Sequence, residues 1–399
     1  MKTCDIAIVG AGISGLSLAH SCARQNWNTL VLEKTSRAGG ILHSHSAAPN
    51  GDFWLELGAH TCYNSYRGLI DLIEECNLVE HMQRREKVPF KLLVDGKIAS
   101  IPSQLSFVEL LFSAPRIFFL KKAGRSVASY YGKIVGKGNF ARVFSAVFSA
   151  VPSQNADDFP ADMLFKKRRR RKDIMKSFTM RDGLQCIAEA LAETPGVQLL
   201  RDCDVTCIAW EAGTFQIATA AGDSFQSKAL ALAAPAAGAA RLLQPNFPEI
   251  AAHLDKIEVL EVETLGVAVE KSALSFDFIA GAIPLDDAFY SIVSRDTVPH
   301  ATYRGFTFHF KPGRLDRQAK LKRIGAILGV DPDGLKHICE KTNCVPSLKL
   351  GHAEWVHSID TALAGKPLLL TGNYFLGLSI EDCISRSRSE FQRLQEILK

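Results

Sequence analysis

The sequence predicts an α/β fold, α+β when the whole chain is counted: a nucleotide-binding domain interrupted by an insertion of mixed sheet and helix. Three observations predict it. Residues 4–9 (CDIAIV) form a short apolar run that leads into a glycine-rich turn and a helical pattern. Thr29–Leu32 (TLVL) reads as a second strand and ends at an acid, Glu33. Strand-rich and helix-rich stretches then separate later segments of the same strand-and-helix type. With 47% hydrophobic and 22% charged residues the chain is globular and not disordered.

The N-terminal elements have separate physical roles. In Gly10-Ala11-Gly12-Ile13-Ser14-Gly15, Gly10 permits the tight turn, Gly12 lets a pyrophosphate approach the backbone, and Gly15 lets the helix lie close on the strand. The helix, with Leu16, Ala19, Cys22 and Ala23 on one side, offers free N–H groups and a partial positive charge to phosphate at its start. Glu33 lies near the expected spacing to accept hydrogen bonds from a ribose diol. Strand, turn, helix, strand and acid together are the Rossmann-type arrangement, which binds NAD or FAD. The one other GxG with a helix-like sequel, Gly136-Lys137-Gly138, lacks a suitable preceding strand, the third glycine and a following acid. One dinucleotide site without a nicotinamide site favours an oxidase or a quinone-linked dehydrogenase over a reductase.

The continuation Glu33-Lys34-Thr35-Ser36-Arg37-Ala38-Gly39-Gly40 resembles the extended fingerprint of FAD-dependent oxidoreductases of the flavin-containing amine oxidase superfamily. The resemblance implies FAD as cofactor, with Lys34, Arg37, Gly39 and Gly40 in a turn beside its pyrophosphate. Residues 53–61 (FWLELGAHT) read as a strand ending in a glycine turn. They resemble the segment of protoporphyrinogen oxidases that lies beside the flavin ring, which implicates Gly58, Ala59 and His60; Ala59 replaces the common proline. Residues 68–79 are an amphipathic helix. Residues 91–102 are a hairpin turning at Asp95-Gly96. Residues 105–165 are helix-rich. Residues 177–191 open a helix after Asp182-Gly183, and 196–208 are strand, turn and strand, with Val205 in the place of the family's adenine contact. Residues 229–243 resemble the segment where the chain leaves the FAD domain again, and 257–310 are strand-rich. Residues 344–363 and 368–384 resemble the C-terminus of protoporphyrinogen oxidases. There Gly372 closes over the flavin, and Ser379 and Ile380 start a last helix aimed at its pyrimidine edge. That positive end favours the reduced, anionic flavin.

The expected organisation is a discontinuous FAD-binding domain from residues 1–88, 178–240 and 345–399. A substrate domain is expected from 89–177, mainly helical, and 241–344, mainly sheet. The implied chemistry is oxidation of protoporphyrinogen IX or a related porphyrinogen by hydride transfer to flavin N5. Six electrons leave in three rounds, with molecular oxygen or a quinone as acceptor. Such a substrate is a wide apolar disc bearing carboxylates, so an arginine is expected for the propionates. Arg67, Arg295 and Arg304 are the candidates, and each also reads as a surface residue. His60 is a candidate for contact with flavin or substrate, or a packed structural histidine; His352 reads as structural. A flavin amine oxidase or a carotenoid-type desaturase is the alternative within the superfamily. Amine oxidases carry two aromatics flanking the flavin and a C-terminal Gly-Glu, where this chain has Gly372-Asn373-Tyr374. A non-catalytic FAD-bound scaffold is the alternative of another class.

The formal net charge is +5. One run, Lys166, Lys167, Arg168, Arg169, Arg170, Arg171 and Lys172, exceeds that total, so the rest of the chain is slightly acidic. A generally basic, nucleic-acid-binding surface is thereby disfavoured, and no aromatic interleaving supports a nucleic-acid partner. The run reads as a solvated face, or as a dock for an anionic membrane in company with the aromatic segment 105–120. That segment holds Glu109, Pro115 and Arg116 and is too broken to span a bilayer. The N-terminus carries no secretory pattern. The ten cysteines include no CxxC and no zinc-type spacing, so no metal site is expected. A cytoplasmic chain with reduced thiols, peripheral on the inner face of a membrane if it docks there, is the expectation.

Overall fold

A computed structural model describes residues 2–47 and 52–398. Its first sheet has seven strands. Val197–Leu200, Thr29–Leu32, Lys2–Val9 and Ser224–Leu232 lie side by side in parallel. The last residues of Ser224–Leu232 also pair in parallel with Leu368–Leu370, while its first residues meet the antiparallel strand Thr214–Thr219, which pairs in turn with Val205–Glu211. The central strands are continuous apolar runs because both faces are covered. Ile6 and Ile8 face a layer containing the helices Ile13–Ala23, Gln185–Ala192 and Ile380–Ile397. Ala7 and Val9 face the opposite layer, with Ala236–Leu243, Pro248–Leu254 and His352–Leu363.

A second seven-stranded sheet runs Lys336–Ser347, Glu258–Glu270, Tyr303–Phe310, Phe289–Ser294, Gly281–Pro284, Phe90–Val94, Lys97–Ala99. All its pairings are antiparallel except that between Gly281–Pro284 and Phe90–Val94. The helix Arg317–Leu328 covers one face through Ile324, Ile327 and Leu328. The short strand Trp54–Glu56 meets the other face. Leu55 and Leu57 occupy the space left open at Gly266 and Gly305, where an added Cβ would come within 3.1 Å and 2.6 Å of them. This packing holds the second sheet against the first sheet's glycine turns.

Several expected domain boundaries fall inside elements. Residue 240 lies within Ala236–Leu243, and the 344/345 and 177/178 divisions lie within Lys336–Ser347 and Ser177–Met180. The helix Pro248–Leu254 still packs in the core of the first sheet, because a strand-and-helix pair returns to its own sheet before the chain crosses over.

The helix-rich stretch opens with Phe107–Ser113 and a tight 3₁₀ turn, Ala114–Phe118. Here Phe107, Val108, Leu111, Phe112, Ile117, Phe118 and Phe119 are all exposed, the last two by 83% and 84%. Among the described residues no helix is long and apolar enough to cross a membrane. All ten cysteines are free thiols, six of them buried.

Candidate functional site

A cleft of about 380 Å³ opens at the carboxyl ends of the parallel strands, where open α/β sheets present ligands. Gly10, Gly12, Ile13, Ser14, Glu33, Lys34, Gly40, Ala59, Val205, Gly372 and Ile380 line it. These residues come from five separate stretches of sequence, 10–14, 33–40, 59, 205 and 372–380. Gly15, Arg37, Gly39, Gly58, His60 and Ser379 support the walls from behind or alongside, and Arg67 lies elsewhere.

The turn is built by close approach. Gly10 sits at φ +104°, and a Cβ there would meet the Ala233 carbonyl oxygen at 2.8 Å. A Cβ at Gly15 would lie 2.0 Å from the Gly10 oxygen, so the helix can rest on the strand only with glycine at that position. Gly12 is different: a Cβ there meets nothing within 4 Å and would project into the cleft. As the cap residue of Ile13–Ala23 it supplies no side-chain acceptor, which leaves the first-turn N–H groups to an incoming anion. The carboxylate of Glu33 is fixed by N–H donors of Ala11 (2.8 Å) and Thr35 (2.9 Å) and by the Thr35 hydroxyl (2.7 Å). Lys34 pairs with Asp204 across the open end at 3.0 Å. An open space at Gly12, uncapped N–H groups and an anchored acid fit a dinucleotide.

Arg37 holds together the turn in which it was expected. Its guanidinium donates to the carbonyls of Ala38, Gly40 and Leu42 at 2.7–2.8 Å. It therefore shapes the Gly39–Gly40 turn, which bonds back to Ala11 through the Gly39 N–H at 2.7 Å. Arg67 is exposed at the start of Arg67–Glu75 and lines no part of the cleft. Arg304 is 4% exposed and paired with the equally buried Asp296 at 2.6 Å and 2.9 Å. It also donates to the Phe276 and Asp277 carbonyls, so it is a core residue and not a surface or substrate arginine.

His60 and Arg295 meet in a smaller cavity next to the cleft, with Glu56, Arg85, Thr179, Thr297 and Thr307. Arg295 stacks on Phe53 and Trp54 at 4.6 Å and 4.7 Å, and Arg85 donates to Thr61 and Thr297. Burial drives His60 down to about 4, helped by the Arg85 charge, and its neighbour His309 down to about 3. Both imidazoles are therefore neutral at physiological pH. Glu56 accepts from the Leu184 N–H (2.7 Å) and the Ser44 hydroxyl (2.8 Å), yet burial pushes its carboxyl up to about 7.

This sets a pH dependence. Between about 4.5 and 7 the folded chain holds a proton on Glu56 that the unfolded chain has lost, so this residue's contribution to stability falls as pH rises through that window. The stability difference between wild type and Glu56→Gln should shift against the wild type by up to roughly 3 kcal/mol from pH 5 to pH 8. Urea titrations at the two pH values measure it; a difference that stays flat refutes the shift.

The family model for flavin containing amine oxidoreductase matches residues 13–278, well over half of the chain. The chain belongs to this family. Its cofactor is FAD. Protoporphyrinogen oxidase 1, chloroplastic, of Arabidopsis thaliana is 22% identical over 96% of this chain and 86% of its own length. Among solved structures, the chain assigned as a protoporphyrinogen oxidase in Exiguobacterium sp. 255-15 superposes with a TM-score of 0.81 at 18% identity, covering 99% of both chains. A putrescine oxidase bound to putrescine gives 0.69 at 12% identity, over 100% of this chain and 99% of its own.

Part of the cleft was not expected from the sequence. Ala233, Ala234, Pro235 and Arg241 form a wall opposite Glu33, and Val259, Cys344 and Pro346 reach in from the second sheet. The signal for the first group was the Ala-Pro segment after the strand Ser224–Leu232. The second group carries no local signal, since only the docking of the two sheets brings it to the cleft. Arg85 was missed because a small sheet, Met82–Arg84 and Cys62–Tyr63 on either side of Ser177–Met180, carries it to His60.

The basic run is also not the uniformly solvated face that its composition suggests. Lys167, Arg169, Arg170 and Lys172 are exposed, but Lys166, Arg168 and Arg171 turn inward. Arg171 bonds Glu74 and Asp173. Lys166 and Arg168 both reach Asp382, at 2.9 Å and 2.7 Å.

Proposed function

We propose that this FAD-dependent oxidoreductase oxidises a porphyrinogen, protoporphyrinogen IX first, to the porphyrin, with molecular oxygen or a quinone as final acceptor. The observation that carries this reading is the residue set at the C-terminal part of the cleft. Amine oxidases of the superfamily carry a Gly-Glu there, whereas this chain lines the cleft with Gly372, Asn373 and Tyr374. Tyr374 is 1% exposed, packed beside Phe375 and Trp355. The resemblance to the chloroplast enzyme over nearly the full chain supports the same branch.

FAD, when bound, supplies a flavin that accepts hydride. The residues of the chain hold and orient it. Glu33 accepts from the ribose, the turn at Gly10 to Gly15 and the N-terminus of Ile13–Ala23 face the pyrophosphate, and Gly39 and Gly40 give it room. Val205 lies by the adenine, and Gly58, Ala59 and Gly372 bound the ring end. Ser379 caps the helix whose first residue, Ile380, faces the ring. His60, neutral, borders the ring end without adding a charge. Arg295 and Arg85 beside it are the cations best placed for a substrate carboxylate, in preference to Arg67 and Arg304.

The test is anaerobic addition of protoporphyrinogen to the purified yellow protein. The flavin band should bleach with this substrate and not with primary amines. Bleaching by amines alone would assign the amine-oxidase reading, and a yellow protein reduced by neither would be a scaffold.

The exposed apolar segment 107–119 favours a peripheral site on an anionic bilayer. Arg116, Lys121, Lys122, Arg125, Lys133 and Lys137 lie in or near it, and such flanking cations each contribute about 1 kcal/mol near a charged surface. A variant carrying Phe112→Ser, Phe118→Ser and Phe119→Ser should no longer co-sediment with phosphatidylglycerol vesicles, while neutralising Arg169 and Arg170 should weaken binding only partly. Undiminished sedimentation of the triple variant would exclude this face.

A further inference from the structure

Two of the inward residues of the basic run, Lys166 and Arg168, converge on the end of the cleft lined by Gly372 and Ile380. The helix Ile380–Ile397 begins there with a capping box: the Ser379 hydroxyl accepts from the Asp382 N–H, and the Asp382 carboxylate accepts from the Ser379 N–H. Asp382 is 6% exposed. Its second oxygen takes Lys166 at 2.9 Å and Arg168 at 2.7 Å. Arg168 also donates to the Ser379 hydroxyl at 3.2 Å and lies over the Tyr66 ring at 5.5 Å. The Lys166 ammonium donates as well to the Leu376 carbonyl. It thus ties together the helix cap and the loop 372–378, whose Gly372, Asn373, Tyr374 and Leu378 line the cleft. Gly377 leaves the space for this knot: a Cβ there would lie 2.8 Å from the Asp382 carboxylate and 3.4 Å from Lys166.

The charges explain why two cations are needed. A helix N-terminus carries about half a positive charge. A buried, unpaired carboxylate in its first turn would cancel that and leave the flavin end negative. Lys166 and Arg168 together offset Asp382 and the second buried carboxylate of that turn, Glu381, which also accepts from the Gly68 and Leu69 N–H groups, and so leave the helix end positive. We propose that Lys166 and Arg168 are flavin-positioning residues, which act through Asp382 to fix the loop 372–378 and to keep the flavin end of the cleft electropositive. The proposal rests on FAD occupying this cleft and is independent of which substrate is oxidised.

Three variants test it, read by FAD dissociation (recovery of free-flavin fluorescence) and by the two-electron midpoint potential of the bound flavin against equilibrating dyes. Lys166→Gln/Arg168→Gln should weaken FAD retention about tenfold, part of the cost of stripping partners from a buried charge, and should lower the midpoint. Asp382→Asn breaks the same knot but removes the negative charge, so it should weaken retention without lowering the midpoint. Neutralising the outward Lys167, Arg169, Arg170 and Lys172 to glutamine should change neither. If the inward double variant does not accumulate, Lys166→Gln and Arg168→Gln singly carry the same expectations at smaller amplitude. Unchanged retention and midpoint in the inward variants, an equal change in the outward variant, or a midpoint lowered equally by Asp382→Asn would each overturn the proposal. A wild-type protein that purifies colourless would instead remove the flavin reading itself.

Discussion

Gly12→Val yields a folded protein that purifies without its flavin. The Cβ of residue 12 meets no protein atom within 4 Å, and the backbone there is at φ −75° and ψ 174°, which any L-residue adopts. The apo chain therefore loses only what valine costs at a helix cap, about 1 kcal/mol. The valine methyl groups instead occupy the side of the turn on which the N–H groups of Ile13–Ala23 open, the place proposed above for the pyrophosphate. The expected outcome is a ratio of flavin to protein absorbance near zero, with a melting temperature close to that of wild-type apoprotein. A valine variant that retains stoichiometric FAD would place the cofactor elsewhere. Gly15→Val makes the contrast: its Cβ would collide with the Gly10 carbonyl oxygen, so that variant should fail to fold and not merely lose colour.

Asp296→Ala should destabilise the chain by about 3–5 kcal/mol, because it leaves the Arg304 guanidinium buried without its counter-charge. Asp296 is 2% exposed and holds Arg304 through both oxygens, and it also accepts from the Ile279 N–H at 3.0 Å. Urea unfolding of the alanine variant and of the apolar pair Asp296→Leu/Arg304→Met separates the causes. The pair should lie closer to wild type than the single variant, since it removes both charges and keeps the volume. An alanine variant within 1 kcal/mol of wild type, on the scale of ordinary surface substitutions, would show that solvent reaches the guanidinium.

The difference between these sites shows what could be read along the chain. The glycine turn was legible because its parts are close in sequence. Gly10, Gly12 and Gly15 fall within six residues, and their strand, helix and terminal acid follow within the next eighteen. The hairpin at Asp95-Gly96 was legible for the same reason, and the structure places both residues at positive φ. Arg304 was not legible. An arginine in YRGFTFHF looks like an exposed position, and only the seating of Asp296, eight residues before it, shows that it is buried. Arg85 lies beside His60 only because the strand Ser177–Met180 pairs with both Met82–Arg84 and Cys62–Tyr63, which sets Arg84 and Cys62 on either side of Phe178.

By itself the sequence determined the fold class, the flavoprotein superfamily and the glycine turn that lines the cleft, because these depend on short-range patterns of φ, ψ and side-chain size. The tertiary structure alone decided which cations are free. The run of seven basic residues is uniform as text, yet three of them turn inward to carboxylates on distant elements while four stay in water. A buried carboxylate such as Asp382 cannot remain unpaired at low dielectric, so the fold recruits the nearest cations to it. Which cations are nearest depends on the packing of a loop against a helix more than two hundred residues further along the chain, a relation that no local pattern encodes.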